Sequence, residues 1–255
     1  MKIIECAQGS ADWHLARSGC ITASMFGVAR SRVGGLSDQQ AAYVAAIQAG
    51  KPEAEAREAA GYKAAPKAAA IDKALKGEQV GDWSEEAKNY AFRIAIERIS
   101  GTNLDEGFET YAMRRGHELE PDARMEHEMR TGLIVQTAGF VTTDDGIFGA
   151  SADGLIDDDG GAEYKCFISP ERLRAFHIDN DASSIMEQVQ GCMWITGRKW
   201  WHVGMYCPAL APVGRQLWLG VYERDDDYIE QLEADLWQFK LLVDSYEATL
   251  REKAA

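Results

Sequence analysis

Two carboxylates and a lysine within thirteen residues offer the clearest chemistry in this chain: Asp153-Gly154-Leu155, then Glu163-Tyr164-Lys165. Between them lies Asp157-Asp158-Asp159-Gly160-Gly161, a turn-forming run, so the stretch reads as a β-hairpin. Residues 163 and 165 are two apart on a strand, and both side chains leave the same face. Asp153, on the opposing arm, falls across from them if the Asp-Gly pair makes the tight turn such pairs favour. Two acids and a cation within about 5 Å on neighbouring strands suit a divalent metal beside a group that handles a proton. Asp153 and Glu163 are candidate ligands for Mg²⁺ or Mn²⁺, hard cations that prefer carboxylate, carbonyl and water oxygens. The Tyr164 backbone carbonyl could add a third oxygen. Lys165 could position or deprotonate an attacking water, or stabilise charge developing on a phosphoryl oxygen. The bland alternative, a surface hairpin with an ordinary Glu–Lys pair, fits poorly with the apolar flanks Phe148, Leu155, Cys166 and Phe167.

The elements around the hairpin must position it. Strand patterns cover 134–142, 148–156 and 162–167, and later 199–206 and 216–222, where Trp, Val and Tyr are dense. Helical patterns cover 85–100, about 109–131, 183–196 and the chain from Asp225 onward. Ser10 is a plausible cap for a helix ending at Arg17, and a second helix begins near Thr22. Helices before, between and after the strands predict an α/β fold with a central mixed sheet flanked by helices. Glu118, Glu120 and Asp122 lie on the helix before the strands. Glu120 is one turn from Gly116, whose missing side chain would admit a neighbouring backbone. Either a helix carboxylate reaches the metal cluster, or these acids solvate an exposed face. Gln188 and Gln190 sit on an otherwise apolar helix, and periodicity does not say which one faces the site.

Residues 31–84 differ from the rest. After Gly34-Gly35 comes an alanine-rich stretch with helical patterns at 39–48, 52–60 and 66–76. It reads as a helical insertion within one domain spanning 1–255, with a DNA-contacting module as the alternative. The net charge of −14 argues on its face against a nucleic-acid binder. The charge is uneven, however: residues 1–35 carry Lys2, Arg17, Arg30 and Arg32 against Glu5 and Asp12, while nine acids crowd 225–255. Five cysteines without a CxxC pair argue against a zinc site or a disulfide scaffold. The start lacks the apolar core of a secretory signal, and no apolar run is long enough to span a bilayer, so a soluble cytoplasmic protein is expected.

Taken in order, Gln8-Gly9-Ser10-Ala11-Asp12-Trp13-His14, Arg17-Ser18-Gly19-Cys20-Ile21-Thr22-Ala23-Ser24, Arg115-Gly116-His117-Glu118-Leu119-Glu120, Ser151-Ala152-Asp153-Gly154-Leu155, Glu163-Tyr164-Lys165-Cys166 and Glu187-Gln188-Val189-Gln190 closely resemble the phage lambda exonuclease family. These are viral recombination nucleases of the restriction-endonuclease-like superfamily. The resemblance covers about 1–27 and 85–225. It implies metal binding by Asp153 and Glu163, with Lys165 as the catalytic lysine. It further implies support from Glu120 and a contact to the site from Gln188. Arg17, Ser24 and Ser151 would form a pocket for a 5′-terminal phosphate, for which an arginine fork is well suited. Met113 occupies the place of an apolar wedge that parts the last base pairs. The implied activity is a Mg²⁺-dependent exonuclease that digests one strand of linear duplex DNA from the 5′ end, yielding mononucleotides and a 3′ overhang. The implied assembly is a homotrimeric ring around DNA, with a single-strand annealing protein taking the overhang. A structure-specific or single-strand endonuclease of the same superfamily, and a non-catalytic DNA-end-binding protein, are the competing readings. The chain departs from the family in its longer stretch between Ser24 and Gly116 and in the successive Arg114 and Arg115.

Overall fold

The computed structural model describes residues 1–78, 80–104 and 111–252, without the side chains of Ala112 and Met113. In chain order its elements begin with β1 (Lys2–Ile4), α1 (Ala11–Arg17), β2 (Ile21–Thr22), α2 (Phe26–Arg30) and β3 (Arg32–Val33). Then come α3 (Asp38–Gln48), α4 (Glu53–Ala59), α5 (Ala69–Leu75), β4 (Asp82–Trp83), α6 (Glu85–Ser100) and α7 (Tyr111–Thr131). The strands β5 (Phe140–Thr142), β6 (Phe148–Ala150), β7 (Gly154–Ile156) and β8 (Gly160–Lys165) lead to α8 (Pro170–His177) and α9 (Met186–Thr196). The chain closes with β9 (Trp200–Tyr206), β10 (Leu217–Glu223) and α10 (Asp226–Glu252). Local signals account for most boundaries. The Ser10 side chain caps α1 by accepting from the Trp13 N–H, Pro170 opens α8, and α9 stops at Gly197 in the left-handed conformation (φ 70°).

Residues Met1–Ala29 and Tyr90–Ala255 form one compact unit, and Arg30–Asn89 another. In the second unit, Tyr43, Val44, Ala46, Ala56, Ala60 and Ile71 make a small core among α3, α4 and α5. Small alanines let the three short helices approach closely, and Tyr43 packs edge-on against Tyr62. Ser37 and Gln40 cap α3 reciprocally, and Arg32 lies 3.6 Å over the Trp83 ring beside the β3–β4 ribbon.

The first unit holds two mixed four-stranded sheets, in the orders β1-β5-β6-β2 and β10-β9-β8-β7, where the sequence predicts one central sheet. The strand patterns at 134–142 and 148–156 each divide between them. Their pairing is one continuous register: counting on from Val141↔Ala150 in the first sheet reaches the bridge Gln136↔Leu155 beside the second. Residues 137–139 and 151–153 part between these points. Gly139 is held there because a Cβ would strike the Ile4 carbonyl oxygen.

In the second sheet β8 is internal and β7 is the edge. One face carries Ala162 and Tyr164 and packs with Ala123 of α7, Val135 and Ile156. The opposite face carries Glu163 and Lys165 toward α9, whose Val189, Cys192 and Met193 are fully buried. On α9, a Cβ at Gly191 would lie 2.6 Å from the Phe26 ring, so the glycine lets α9 seat against the segment bearing Ser24. Phe26, Phe148 and Trp194 complete that contact. Each of the two buried phenylalanines contributes about 1.5–3 kcal/mol.

Candidate active site

The hairpin forms with a different turn from the one expected. Ile156 pairs with Gly160, leaving a three-residue turn, Asp157–Asp159, with Asp157 at φ 46°. The Asp159-Gly160 pair is not its centre. Arg198 clamps this turn, donating through Nη1 to the carbonyls of Ile156 (3.2 Å), Asp157 (2.9 Å) and Gly160. The register then counts on from Gly154↔Ala162 to bring Asp153 across from Glu163. The Asp153 carboxylate is fixed by the Tyr164 backbone N–H, which donates to Oδ2 at 2.7 Å.

Glu163 is 2% exposed, and its Oε1 accepts from Lys165 Nζ (2.7 Å) and Gln188 Nε2 (2.6 Å). Lys165 also donates to Gln188 Oε1 at 3.0 Å, closing a three-membered network. Residues 163 and 165 therefore do share a face, and Gln188 is the amide that meets them. Gln190 is a core amide instead, accepting from the Asp225 N–H and donating to the Glu223 carbonyl, each at 3.0 Å. Of the helix acids, Glu120 reaches the cluster, held by Arg124 Nη2 at 2.6 Å, while Glu118 and Asp122 are exposed. Arg124 also donates to the Asp153 carbonyl at 3.3 Å, tying α7 to the hairpin. Gly116 does not serve a close approach: a Cβ there would meet nothing within 4 Å.

The electrostatics are those of crowded acids. Burial, reinforced by Glu120, pushes the Asp153 carboxyl up to about 6, and burial with the Asp153 charge pushes Glu163 up to about 7. Burial likewise raises Glu120 against the pull of Arg124. For Lys165, burial works against the charge, but Glu163 and Asp153 outweigh it and hold its pKa above the ordinary value.

Among the described residues, no three His, Cys, Asp or Glu side chains are grouped as a metal would require; the third acid, Glu120, is engaged by Arg124. Asp153 and Glu163 nevertheless fit a divalent cation. Glu163 Oε2 is buried with no hydrogen-bond partner, and a cation would both satisfy that oxygen and favour the ionised carboxylates.

A small cavity of about 80 Å³ adjoins this cluster. Arg17, Thr22, Ser24 and Ser151 line it together with Gln8, Asp153, Glu163 and Gln188. Trp13 orients two of these residues. Its Nε1 donates to Ser151 Oγ at 2.8 Å, and the Arg17 guanidinium lies 4.1 Å over its ring. The Thr22 and Ser24 hydroxyls are 3.4 Å apart. The parted hairpin opens a second cavity of about 530 Å³ at Thr137–Gly139, beside Glu120 and Asp153. A third, of about 450 Å³, runs from the carboxylates and Lys165 to Phe167 and Arg172.

The structure thus brings together Asp153, Glu163, Lys165, Gln188, Glu120, Arg17, Ser24 and Ser151. Met113 falls in the first turn of α7, and its side chain lies outside the described residues. Sequence reasoning missed Arg124, Thr22 and the orienting role of Trp13. It also missed a buried chain behind the hairpin, in which His127 Nδ1 meets the Tyr164 hydroxyl and His127 Nε2 meets His202 Nδ1, both at 2.7 Å. The i, i+4 spacing of Glu120 and Arg124 was the available signal for the first.

Known proteins resemble this chain in sequence and in fold. The family model for the YqaJ-like viral recombinase domain matches residues 12–199. Among solved structures, the alkaline exonuclease LHK-Exo from Laribacter hongkongensis superimposes with a TM-score of 0.68 at 25% identity, over 96% of this chain and 98% of that one. Its complex with dAMP gives 0.65 at 27% identity over the same shares. A phage-related exonuclease from Haemophilus somnus 129PT gives 0.54 at 16% identity, over 74% of this chain and 91% of that one, a likeness of fold alone. A search of curated proteins gives no match. Family and fold together define a nuclease. The chain belongs to the family of YqaJ-like viral recombinase domains, as the resemblance to the lambda exonuclease family implies.

Proposed function

We propose that the protein is a Mg²⁺-dependent exonuclease that digests one strand of linear double-stranded DNA in the 5′-to-3′ direction. It releases mononucleotides and leaves a 3′ overhang for a single-strand annealing protein. The observation that carries this reading is the 80 Å³ cavity, which Arg17, Thr22, Ser24 and Ser151 line together with Asp153, Glu163 and Gln188. Its hydroxyls and guanidinium suit a terminal phosphate, and the shared wall sets that phosphate beside the acidic cluster. The dAMP complex of LHK-Exo supports a mononucleotide product.

Asp153, Glu163 and the Tyr164 carbonyl would hold the cation, which supplies Lewis-acid stabilisation of the phosphoryl oxygens and activates water. Mn²⁺ offers the same preferences. Lys165, kept protonated by Glu163 and Asp153, serves as a charge stabiliser for the phosphoryl group, which favours that of its two candidate roles. Gln188 fixes the lysine and Glu163 relative to each other. Arg124 steadies Glu120 and the hairpin backbone. Met113 is proposed as the wedge at the duplex end. A trimeric ring with an acidic exterior would confine DNA to a basic lining, which reconciles the net charge of −14 with DNA work.

The test is digestion of linear duplexes bearing a 5′-phosphate or a 5′-hydroxyl, with Mg²⁺ or with EDTA. Fast Mg²⁺-dependent loss of the phosphorylated strand, and resistance of circular duplex, are expected. Arg17→Ala should erase the phosphate preference. Equal wild-type rates on both ends would remove the assigned pocket.

A further inference from the structure

We propose that Phe167 and Arg172 form a stacking platform for the nucleobase next to the phosphate being cut. The inference rests on the nuclease reading and extends it to a site that holds a base rather than a phosphate. Beyond Lys165 the chain leaves β8, and the 450 Å³ cavity continues along it to Phe167, Ile168, Ser169 and Arg172. Asp153 and Glu163, with Gln8, line both this cavity and the phosphate cavity. A strand whose terminal phosphate rests at Arg17 and whose next phosphate meets the carboxylates therefore has this space on their far side.

The chemistry of the far end differs from that of the centre. Beyond Lys165, the lining residues Cys166, Phe167, Ile168, Ser169 and Arg172 include no carboxylate and one cation, so this end suits a neutral, flat, weakly polar group. The Arg172 guanidinium lies 4.4 Å over the Phe167 ring, and Phe167 rests edge-on against the buried Phe176. Phe176 is gripped in turn by Trp218. Phe167 is thus a supported ring, and Arg172, exposed above it, offers a second planar surface. Ile168 is 51% exposed at the same rim. Bases stack on aromatic and guanidinium planes without regard to sequence, which an enzyme digesting any strand requires. The volume accommodates a base and its sugar.

The flanking base comes from the terminal nucleotide or from its 3′ neighbour, and substrate design separates the two. Linear 5′-phosphorylated duplexes would carry a tetrahydrofuran abasic residue at position 1 or at position 2 of the digested strand, and initial rates would be measured at subsaturating DNA. Wild-type protein should lose about tenfold in rate at one of these positions, which identifies the base held. Arg172→Ala should digest the unmodified duplex at about that reduced rate and lose nothing more on the abasic one. Phe167→Leu should behave likewise; it packs on the core, whereas exposed Arg172 can be removed without disturbing the fold. Wild-type rates indifferent to both abasic positions would overturn the platform while leaving the nuclease reading intact. So would losses that multiply when variant and abasic substrate are combined. Failure to digest any linear duplex would refute the duplex-exonuclease reading, and the platform with it.

Discussion

Replacing Glu163 with glutamine should make the metal-free protein more stable while abolishing digestion. A carboxyl titrating near 7 in the fold, against an ordinary 4.5, costs about 3 kcal/mol of stability once both states are ionised. The sign follows from proton binding. The folded state keeps this proton longer than the unfolded chain, so the carboxyl's favourable contribution is full below about pH 4.5 and is lost as pH rises through about 7. Glutamine retains an oxygen for Lys165 and Gln188 but gives up the attraction between Glu163 and the ammonium group. The net gain expected at pH 8 is about 1–2 kcal/mol, or about 2–8 °C in melting temperature for a chain of this size. Thermal melts followed by circular dichroism in EDTA, at pH 5 and pH 8, provide the measurement. The variant should melt above the wild type at pH 8, and the gap should close at pH 5. Mg²⁺ should then raise the wild-type midpoint and barely move the variant, because binding to the native state alone stabilises it. A variant that melts below the wild type at pH 8, or a gap of equal size at both pH values, would refute the argument from crowded buried acids.

Lys165→Ala should slow digestion by about 10²–10⁴-fold with DNA binding kept, as measured by single-turnover cleavage and filter binding; unchanged cleavage would remove the lysine from the chemistry. Tyr164→Phe strips the buried His127 Nδ1 of its hydroxyl partner, so urea melts should show a loss of about 1–3 kcal/mol. Gly161→Ala drives a Cβ into the fully buried Trp201 ring, and the expected cost of about 3 kcal/mol should appear as poor soluble yield and a depressed midpoint.

Spacing along the chain determined what each element could present. Residues two apart on β8 had to share a face, so Glu163 and Lys165 were placed together before any tertiary contact was known. Ser10, Pro170 and Gly197 carry conformational preferences that act locally, and helix ends fell at all three. Even so, the eight-residue α8 was not read from sequence, because only Phe176 among its residues is buried and so short a stripe has little periodicity. Residues two apart on a helix point about 200° away from each other. One of Gln188 and Gln190 had to face the acids, as one set among Glu118, Glu120 and Asp122 had to face solvent. Which one could not be settled from the helix itself. The choice depends on rotation about the helix axis, and that rotation is fixed by distant partners: Phe26 against Gly191 for α9, and the His127–Tyr164 contact for α7. The division of one hairpin between two sheets is of the same kind. Hydrophobic alternation runs straight through 148–156, and only the Ile4 backbone lying against Gly139 and the bridge at Gln136↔Leu155 mark where the arms separate. The sequence by itself therefore determined the candidate groups and their order. Tertiary packing decided the rotations of α7 and α9 and the gap at Asp153, because those depend on groups from separate elements, such as Phe26 and Gly191, Ile4 and Gly139, or His127 and Tyr164, meeting across the unit.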